Sequence, residues 1–272
     1  MGREDVRERL WRAAVGVGRD YPVERLSDSL MVFAPHPDDE TLGCGGLILR
    51  KREAGAPVTV VFMTDGSRSH AAYMRAEDLR AVREQEGREA CRRLGVADES
   101  VVFCGYPDAA LQDVREAAIA RVASLLRADR PGEVAIPYRH DVTRDHVATH
   151  HIVRAAIRAS GLSVRILEYP VWFWSAWPWT RLTYGGRRQA LHDAVRSVLA
   201  AGRLVVQLRC QLPIDRHTAA KRSALDGHRS QLVKLRPETP WPTLQEVAGG
   251  DFLSCFFRSH ERYMTYRYGP GS

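Results

Sequence analysis

Short apolar runs and longer amphipathic stretches alternate along the chain from residue 29 to residue 168. The apolar runs end at turn residues and predict buried strands, over Ser29–Ala34, Val58–Thr64, Val101–Cys104, Glu133–Pro137 and Val164–Glu168. Apolar positions at helical spacing predict helices between them, over Thr41–Glu53, Glu77–Leu94, Ala110–Ala128 and His146–Arg158. Strands that alternate with helices imply right-handed crossovers and a mostly parallel sheet. The pattern therefore predicts an α/β fold, a Rossmann-like three-layer sandwich with helices on both faces of the sheet.

The pattern is weaker after Tyr169. An alternating stretch predicts a strand over Leu204–Leu212, helical spacing predicts a helix over His217–Gln231, and the aromatic tail Phe252–Tyr268 is interpreted as a closing segment. The tryptophan-rich run Tyr169–Trp179, called the aromatic stretch below, either caps the sheet or lines a pocket.

The two ends of the chain suggest no division into separate units. Residues 1–27 are charged and amphipathic, which predicts an N-terminal helical extension rather than a secretory signal. No internal repeat, low-complexity segment or long linker follows, so we expect a single domain over residues 1–272.

Composition narrows the function classes. The net charge is +7, but the basic residues are scattered at helical spacing, which indicates solvated helix faces or a rim that attracts an anionic substrate. No nucleic-acid motif accompanies the charge, and no apolar run is long enough to span a membrane. The five cysteines are odd in number and form no CxxC pair, which favours a reduced, cytoplasmic compartment over a disulfide framework.

Carboxylates and histidines follow four successive predicted strands. His36-Pro37-Asp38-Asp39-Glu40 follows the first strand, Asp65 the second, Asp108 the third, and the segment Arg139–His146 the fourth. Ligands of open α/β sheets bind outside the carboxyl ends of the strands, where these side chains should meet.

The first of these clusters predicts a metal site. Adjacent aspartates repel each other unless a cation is near, and zinc accepts histidine nitrogen and carboxylate oxygen, usually with three protein ligands in a catalytic site. His36, Asp39 and His146 are the candidate ligands, and Asp38 is then free to act as the base that activates water. Iron or another divalent ion suits the same ligands. The alternative is a polar loop in which Asp39 caps the following helix.

These residues resemble the PIG-L/LmbE-like zinc-dependent N-deacetylases. The family's A-H-P-D-D-E run appears as Ala34–Glu40 with one proline inserted, and its D-x-H-P-D-H run as Asp141–His146. Further similarity lies in T-D-G, R-x-x-E, L-G-V and Y-P-D segments and in a late K-x-x-A-L-x-x-H-x-S-Q helix, at Thr64–Gly66, Arg83–Glu86, Leu94–Val96, Tyr106–Asp108 and Lys221–Gln231. The resemblance covers most of the chain from Asp28 onward.

The resemblance implies zinc on the three candidate ligands, Asp38 as general base, and Arg83 and Asp108 as residues that contact substrate. For these last two, an internal salt bridge or a turn cap is the alternative. The implied substrate is a small N-acetylated amino sugar or its conjugate, from which water removes the acetyl group. A zinc hydrolase of another amide or ester in a natural product, and a metal-binding homologue with impaired catalysis, remain alternatives. Whether the protein is a monomer or a homo-oligomer is left open.

One position departs from the family pattern. The family has a second histidine three residues before the last ligand, where it stabilises the oxyanion or protonates the leaving amine, and this chain has Thr143 there. A threonine hydroxyl donates a hydrogen bond but carries no positive charge. The candidates to compensate, each with a surface or supporting role as the alternative, are His140, Arg144, His150 and His151. His228 and Lys221 are expected near the pocket, with packing as the alternative, and Asp141 or Asp145 can orient a ligand histidine.

Overall fold

The computed structural model describes residues 3–176, 179–180 and 198–271, with side chains from residue 6 onward. Its centre is an eight-stranded sheet in the order β1-β7-β8-β6-β5-β2-β3-β4. The strands are β1 (Arg19–Asp20), β2 (Leu30–Ala34), β3 (Val58–Thr64), β4 (Val101–Tyr106), β5 (Glu133–Pro137), β6 (Val164–Tyr169), β7 (Cys210–Pro213) and β8 (His260–Tyr268). Among these strands β8 runs antiparallel to both of its neighbours, and the other pairings are parallel. The predicted α/β fold with a mostly parallel sheet is confirmed.

Helices cover both faces of the sheet. They are α1 (Arg3–Gly16), α2 (Asp39–Glu53), α3 (Ala76–Arg93), α4 (Arg115–Asp129), α5 (Arg144–Ser160), α6 (Thr218–Leu225), α7 (Arg229–Leu232) and α8 (Asp251–Ser254). In β2, Leu30 and Val32 belong to the core that includes α2, whereas Met31 and Phe33 belong to the core that includes α4 and α5. Successive side chains of a strand point to opposite faces, so a fully apolar strand joins both cores.

The order in which successive strands join the sheet reverses next to β2. The chain passes from β2 to β3 and β4 on one side, and β5 then pairs with β2 on the other side. A crevice opens outside the carboxyl ends of the strands where the order reverses in this way, and ligands bind there in open α/β sheets. The segments that follow β2 and β5 carry the candidate metal ligands, so the fold brings them to one crevice.

Helix α2 lies unusually close to the sheet at its first turns. A Cβ atom on Gly43 would come 2.1 Å from the ring of Tyr169, so only glycine permits this approach. The C-terminal part of the chain also holds the helix in place. Glu261 accepts a hydrogen bond from the backbone N–H of Gly46 at 2.7 Å, and Lys221 pairs with Glu261 at 2.7 Å. Lys221 therefore supports the helix that begins at the candidate metal site, and it does not contact the pocket itself.

Two predicted elements after Tyr169 were wrong. The stretch Leu204–Leu212 is not one strand, because residues 198–206 are helical and the strand is confined to Cys210–Pro213. Ala200 and Leu204 are both buried in the core, and their spacing of four residues suits this helix.

The predicted helix His217–Gln231 is divided into α6 and α7. The break contains Gly227, where a Cβ atom would lie 3.1 Å from the backbone nitrogen of Ala90 in α3. Close packing against α3 therefore places a glycine between the two helices. The closing segment, which the sequence left undefined, ends in β8.

The aromatic stretch both caps the sheet and faces the crevice. Trp174 and Trp179 are buried against Trp11 of α1, with ring centroids 6.2 and 6.4 Å from that ring. Trp172 is half-buried and faces the site described below. Residues 177–178 lie outside the described residues.

The N-terminal segment contains more than the predicted helix. Helix α1 is followed by the short strand β1, which pairs with β7 at the edge of the sheet. No helix among the described residues combines the length and the apolar character required to cross a bilayer. That residues 1–272 form a single domain stays a prediction.

Candidate active site

Three candidate ligands meet in the crevice. His36 follows β2, Asp39 begins α2, and His146 lies in the first turn of α5. One ligand atom from each lies within 4.8 Å of the other two. Asp39 and His146 are buried, whereas His36 is half-buried and opens to the pocket.

The ring of His146 is oriented by a carboxylate behind it. Its Nδ1 lies 2.9 Å from Asp141 Oδ2 in a fully buried pair. Its Nε2 lies 3.1 Å from Asp39 Oδ2 and has no hydrogen-bond partner among the described residues. A histidine whose outer nitrogen is hydrogen-bonded to a carboxylate keeps its inner nitrogen available for a metal.

His36 has the same arrangement with a pair of carboxylates. Its Nε2 lies 3.2 Å from Asp145 Oδ2 and 3.3 Å from Asp108 Oδ1, and its Nδ1 lies 3.3 Å from Asp39 Oδ2. Asp145 also accepts hydrogen bonds from the backbone N–H groups of Ala109 and Leu111, which fix its position. His36, Asp108 and Asp145 form a second group with the spacing of metal ligands. Because both carboxylates in it already accept backbone hydrogen bonds, we interpret this second group as the outer support of His36.

The donor set therefore fits a divalent metal ion. Two histidine nitrogens and one carboxylate oxygen lie within 4.8 Å of one another. In each histidine the ring nitrogen that points away from this group, Nδ1 of His146 and Nε2 of His36, lies beside a carboxylate. The other ring nitrogen of His146, Nε2, is buried and has no hydrogen-bond partner among the described residues. Three ligands of this kind match a catalytic zinc site. Iron and other divalent ions bind the same atoms.

The electrostatics of the ligands agree with this interpretation. Burial opposes a charge on His146, but the carboxylates of Asp39 and Asp141 raise its pKa to about 9. Burial likewise opposes a charge on His36, and hydrogen bonds with three carboxylates outweigh it and raise the pKa of His36 well above its usual value. Burial also opposes the charge of Asp39, whose pKa the two histidines hold well below its usual range. Protons on the histidines here balance negative charge, which a metal cation would do in their place.

Asp38 is held in an unusual backbone conformation beside the ligands. Its φ is 136°, a region that non-glycine residues rarely adopt. Glu40 accepts a hydrogen bond from the Asp38 backbone N–H at 3.0 Å, and His228 Nε2 lies 2.8 Å from the same carboxylate. Burial and the charge of Asp39 raise the pKa of Asp38 above its usual range. A carboxylate with a raised pKa is a better proton acceptor, which suits a general base.

A pocket of about 330 Å³ opens over these residues. Its lining includes the polar side chains of Arg83, Asp108 and Gln231. It also includes the aromatic rings of Trp172 and Phe252, which are stacked with centroids 4.9 Å apart. A polar edge and an aromatic face suit a ligand that has both hydroxyl groups and an apolar face.

Three polar atoms in residues of this pocket are buried and have no hydrogen-bond partner among the described residues. They are Arg83 Nε, Thr143 Oγ1 and Gln231 Nε2. Buried polar groups are almost always paired, so several unpaired ones around one cavity indicate that a ligand supplies their partners.

Arg83 and Asp108 both lie on the pocket wall. Arg83 donates hydrogen bonds to Pro37 O at 3.0 Å and to Ser69 Oγ at 2.7 Å, so it also braces the loop that carries Asp38. Asp108 accepts the backbone N–H of Arg68 at 3.1 Å, and its hydrogen bond with His36 lowers its pKa to about 2 despite its burial. Each therefore has a structural contact and a surface toward the pocket.

The histidines considered as replacements at Thr143 lie elsewhere. His150 Nδ1 hydrogen-bonds Pro137 O at 3.1 Å, and His140 packs edge-on against Tyr138. His151 is exposed, and none of these three lines the pocket. His150 follows His146 by one turn of α5, but it does not reach the site as the sequence suggested.

Sequence reasoning gave no role to several residues of the site. Gln231 was noted only within the late helix pattern, Phe252 only within the closing segment, and Glu40 only as the end of the first motif. Glu40 could have been suspected, since a buried acid directly after two aspartates requires a partner. The side chain that meets it, His228, is 188 positions away in the sequence.

Comparison with known proteins gives a family match over part of the chain. Residues 31–157, which span β2 to α5 and include every candidate ligand, match the family model described as PIG-L: GlcNAc-PI de-N-acetylase. These residues form a PIG-L domain. The predicted resemblance to PIG-L/LmbE-like deacetylases is confirmed.

The curated relatives of this chain described below are, by their names, deacetylases. It is 26% identical over 265 residues to the 1D-myo-inositol 2-acetamido-2-deoxy-alpha-D-glucopyranoside deacetylase of Streptomyces scabiei, a match that spans 79% of this chain and 80% of that protein. It is 32% identical over 147 residues to a probable N-acetyl-alpha-D-glucosaminyl L-malate deacetylase 2 of Bacillus subtilis, where the match spans 49% of this chain and 62% of the relative, somewhat less than two thirds. The N,N'-diacetylchitobiose deacetylase of Pyrococcus horikoshii has the same fold, with a TM-score of 0.62 at 21% identity over 97% of this chain and 92% of that one.

Replacement of Asp141 by asparagine in the PIG-L domain is expected to weaken metal binding about 10- to 100-fold. Asp141 pairs with His146 Nδ1, and its oxygens also accept the backbone N–H groups of Val171 and Phe173. An amide there no longer carries the charge that increases the basicity of the histidine. The measurement is a competition titration with a chelator. Asp113→Asn, in a carboxylate outside the pocket, is the control, and unchanged affinity in Asp141→Asn would contradict the orienting role.

Proposed function

We propose that this protein is a metal-dependent deacetylase that hydrolyses the acetamide of an N-acetylated amino sugar or of its conjugate. The main supporting observation is that ligand atoms of His36, Asp39 and His146 lie within 4.8 Å of one another, and that His36, Asp39 and Asp38 line one pocket. The curated relatives reported above act, by their names, on N-acetylglucosamine-type compounds.

Zinc is the proposed ion, held by His36, Asp39 and His146. The ligand types support zinc, and another divalent ion remains compatible with them. When bound, the ion supplies positive charge that polarises an amide carbonyl and acidifies water.

Asp38 is the proposed general base. Its carboxylate lies beside the ligands, and the backbone hydrogen bond to Glu40 fixes its direction. In the attack step Asp38 accepts a proton from water, and in the breakdown step it returns that proton to the leaving nitrogen. Both transfers are assigned to Asp38 because Thr143 replaces the family histidine. Among the described residues that line the pocket, the one histidine is His36, which is a proposed metal ligand. The buried hydroxyl of Thr143 has no hydrogen-bond partner among the described residues, and it is the proposed donor to the acyl oxygen.

The pocket walls are the proposed binding surface for the sugar. Arg83 and Asp108 offer a donor and an acceptor to hydroxyl groups, and Trp172 offers an apolar face to the ring. Hydrolysis of another amide or ester is a second candidate, because the metal ligands alone do not select the bond that is cleaved. A role in metal binding without catalysis is less favoured because the strained Asp38 has no use in it.

The function is tested by amine release together with metal content. The purified protein is expected to hold about one zinc ion per chain and to release primary amine from N-acetylglucosamine or its conjugates in a chelator-sensitive reaction, followed with fluorescamine. Zinc without amine release from any of these compounds would favour the second candidate. Absence of bound metal even after reconstitution would contradict the proposed site.

The cytoplasmic location and the choice between monomer and homo-oligomer stay predictions.

A further inference from the structure

Gln231 lines the pocket with a fixed backbone and an unpaired side-chain amide donor. The residue is 8% exposed, and its Nε2 has no hydrogen-bond partner among the described residues. Its backbone is held from two sides, because its N–H donates to His228 O at 3.0 Å and its carbonyl accepts Leu244 N–H at 2.7 Å. A rigid backbone therefore presents a buried amide at a pocket wall.

The neighbouring residue adds to this rigidity. Ser230 Oγ donates to Glu86 of α3 at 2.6 Å, and the Ser230 carbonyl accepts the indole N–H of Trp241 at 2.9 Å. Two separate segments, α3 and residues 241–244, thus fix the short helix α7. Leaving a buried amide unpaired is unfavourable, so rigid placement of one beside a cavity indicates that it is kept for a ligand.

Gln231 makes no direct contact with the reacting centre. Among the described contacts, no hydrogen bond or ion pair joins it to His36, Asp38, Asp39 or His146. It lines the same cavity as Arg83, Asp108 and the aromatic ring of Trp172. Donors, an acceptor and an aromatic ring around one cavity suit a ring that carries several hydroxyl groups.

We infer that the amide of Gln231 hydrogen-bonds a ring oxygen or hydroxyl of a polyhydroxylated substrate and thereby determines specificity. This inference rests on the proposed function for the identity of the reaction, but the binding event itself requires no turnover. Gln231 then contributes to substrate affinity and leaves the chemical step unchanged, so its loss raises KM more than it lowers kcat.

The test measures binding of N-methanesulfonyl glucosamine, whose sulfonamide replaces the scissile acetamide, to the metal-loaded protein by calorimetry. Gln231→Met keeps the length of the side chain and removes the amide, and it is expected to weaken binding about 10- to 100-fold at unchanged metal content. Gln211→Met is the matched control, because Gln211 is 7% exposed and its amide is already paired with Asp20 and Arg262 outside the pocket. The control is expected to bind the analogue like the wild type.

Deoxy versions of the analogue identify the oxygen that is contacted. For one of the 3-, 4- and 6-deoxy compounds, the wild type is expected to lose about as much affinity as Gln231→Met does, and Gln231→Met is expected to bind that compound and the parent equally. Unchanged affinity in Gln231→Met, an equal loss in Gln211→Met, or undiminished discrimination in Gln231→Met would each overturn the inference. A wild type that binds the analogue through Gln231 but releases no amine would contradict the proposed deacetylation and support the binding role. A wild type that binds no analogue would overturn both.

Discussion

Asp38→Asn is expected to reduce amine release about 10²- to 10⁴-fold, the usual contribution of a general base, while the protein still binds one metal ion per chain. Asparagine keeps the size of the side chain but accepts no proton at its amide. The ligands His36, Asp39 and His146 are unchanged, so metal content is the internal control. Steady-state amine release and elemental analysis on the same preparation are the measurements.

The backbone of Asp38 supplies a second readout for the same position. A non-glycine residue in a sparsely populated conformation such as its φ of 136° costs on the order of 1–3 kcal/mol, and a buried carboxylate beside Asp39 adds repulsion. Asp38→Gly removes both penalties, so we expect it to be as inactive as Asp38→Asn and to have an equal or higher melting temperature. A rise in stability with loss of activity would indicate that the strain is kept for function.

Two outcomes would contradict this assignment. Activity near the wild-type level in Asp38→Asn would show that another group accepts the proton. Loss of metal in Asp38→Asn would show that Asp38 holds the ion or its neighbours and does not act as a base. Glu84→Gln, on an exposed face of α3, is the control for a general effect of removing one negative charge.

The sheet and the proximity of His36, Asp39 and His146 could be predicted because their signals are local. Each parallel strand is a short apolar run, and the polar residues that follow two such runs must lie at one edge of the sheet. Strands β3 and β5 begin and end where the sequence predicted. The first motif places a histidine, a proline and two aspartates in four consecutive positions, from His36 to Asp39. This combination is specific enough to indicate a metal site from the sequence.

Asp141 and Asp145 were expected to orient ligand histidines and do lie behind His146 and His36, but the pairing of each and the rest of the support depend on contacts between distant segments. His36 meets Asp108 and Asp145, which are 72 and 109 positions later in the chain. Nothing near His36 in the sequence indicates which of the many carboxylates would pack behind its ring. The Glu40 and His228 pair, the break at Gly227 and the antiparallel strand β8 are likewise determined by tertiary packing.

The stretch Leu204–Leu212 was wrongly predicted as a strand because its apolar residues were interpreted with a period of two residues. Buried residues four apart and residues two apart both occur in that stretch, and a short apolar pattern does not separate helix from strand. His150 shows a related limit. Its spacing from His146 places both on one side of α5, but α5 meets different partners at successive turns, so His150 contacts Pro137 and not the metal ligands.

His146→Ala is expected to weaken metal binding more than about 100-fold, beyond the 10- to 100-fold effect of an orienting partner, and to abolish chelator-sensitive amine release. The substitution removes one of three ligand atoms, and it leaves Asp39 and Asp141 as buried carboxylates without their shared histidine. Competition with a chelator gives the affinity, and reconstitution at high zinc concentration tests whether activity returns with occupancy.

His150→Ala, one turn along the same helix, is the matched control. His150 is buried like His146, and burial lowers its pKa to about 4, so it is neutral and its loss removes no charge from the site. The hydrogen bond to Pro137 and the packing around the ring are lost, at a cost of about 1–3 kcal/mol in folding free energy. We therefore expect a lower melting temperature with metal affinity within about twofold of the wild type. If His150→Ala lost metal as His146→Ala does, the ligand set would have to include α5 beyond its first turn. If His146→Ala kept its metal, the second group, His36 with Asp108 and Asp145, would become the candidate site instead.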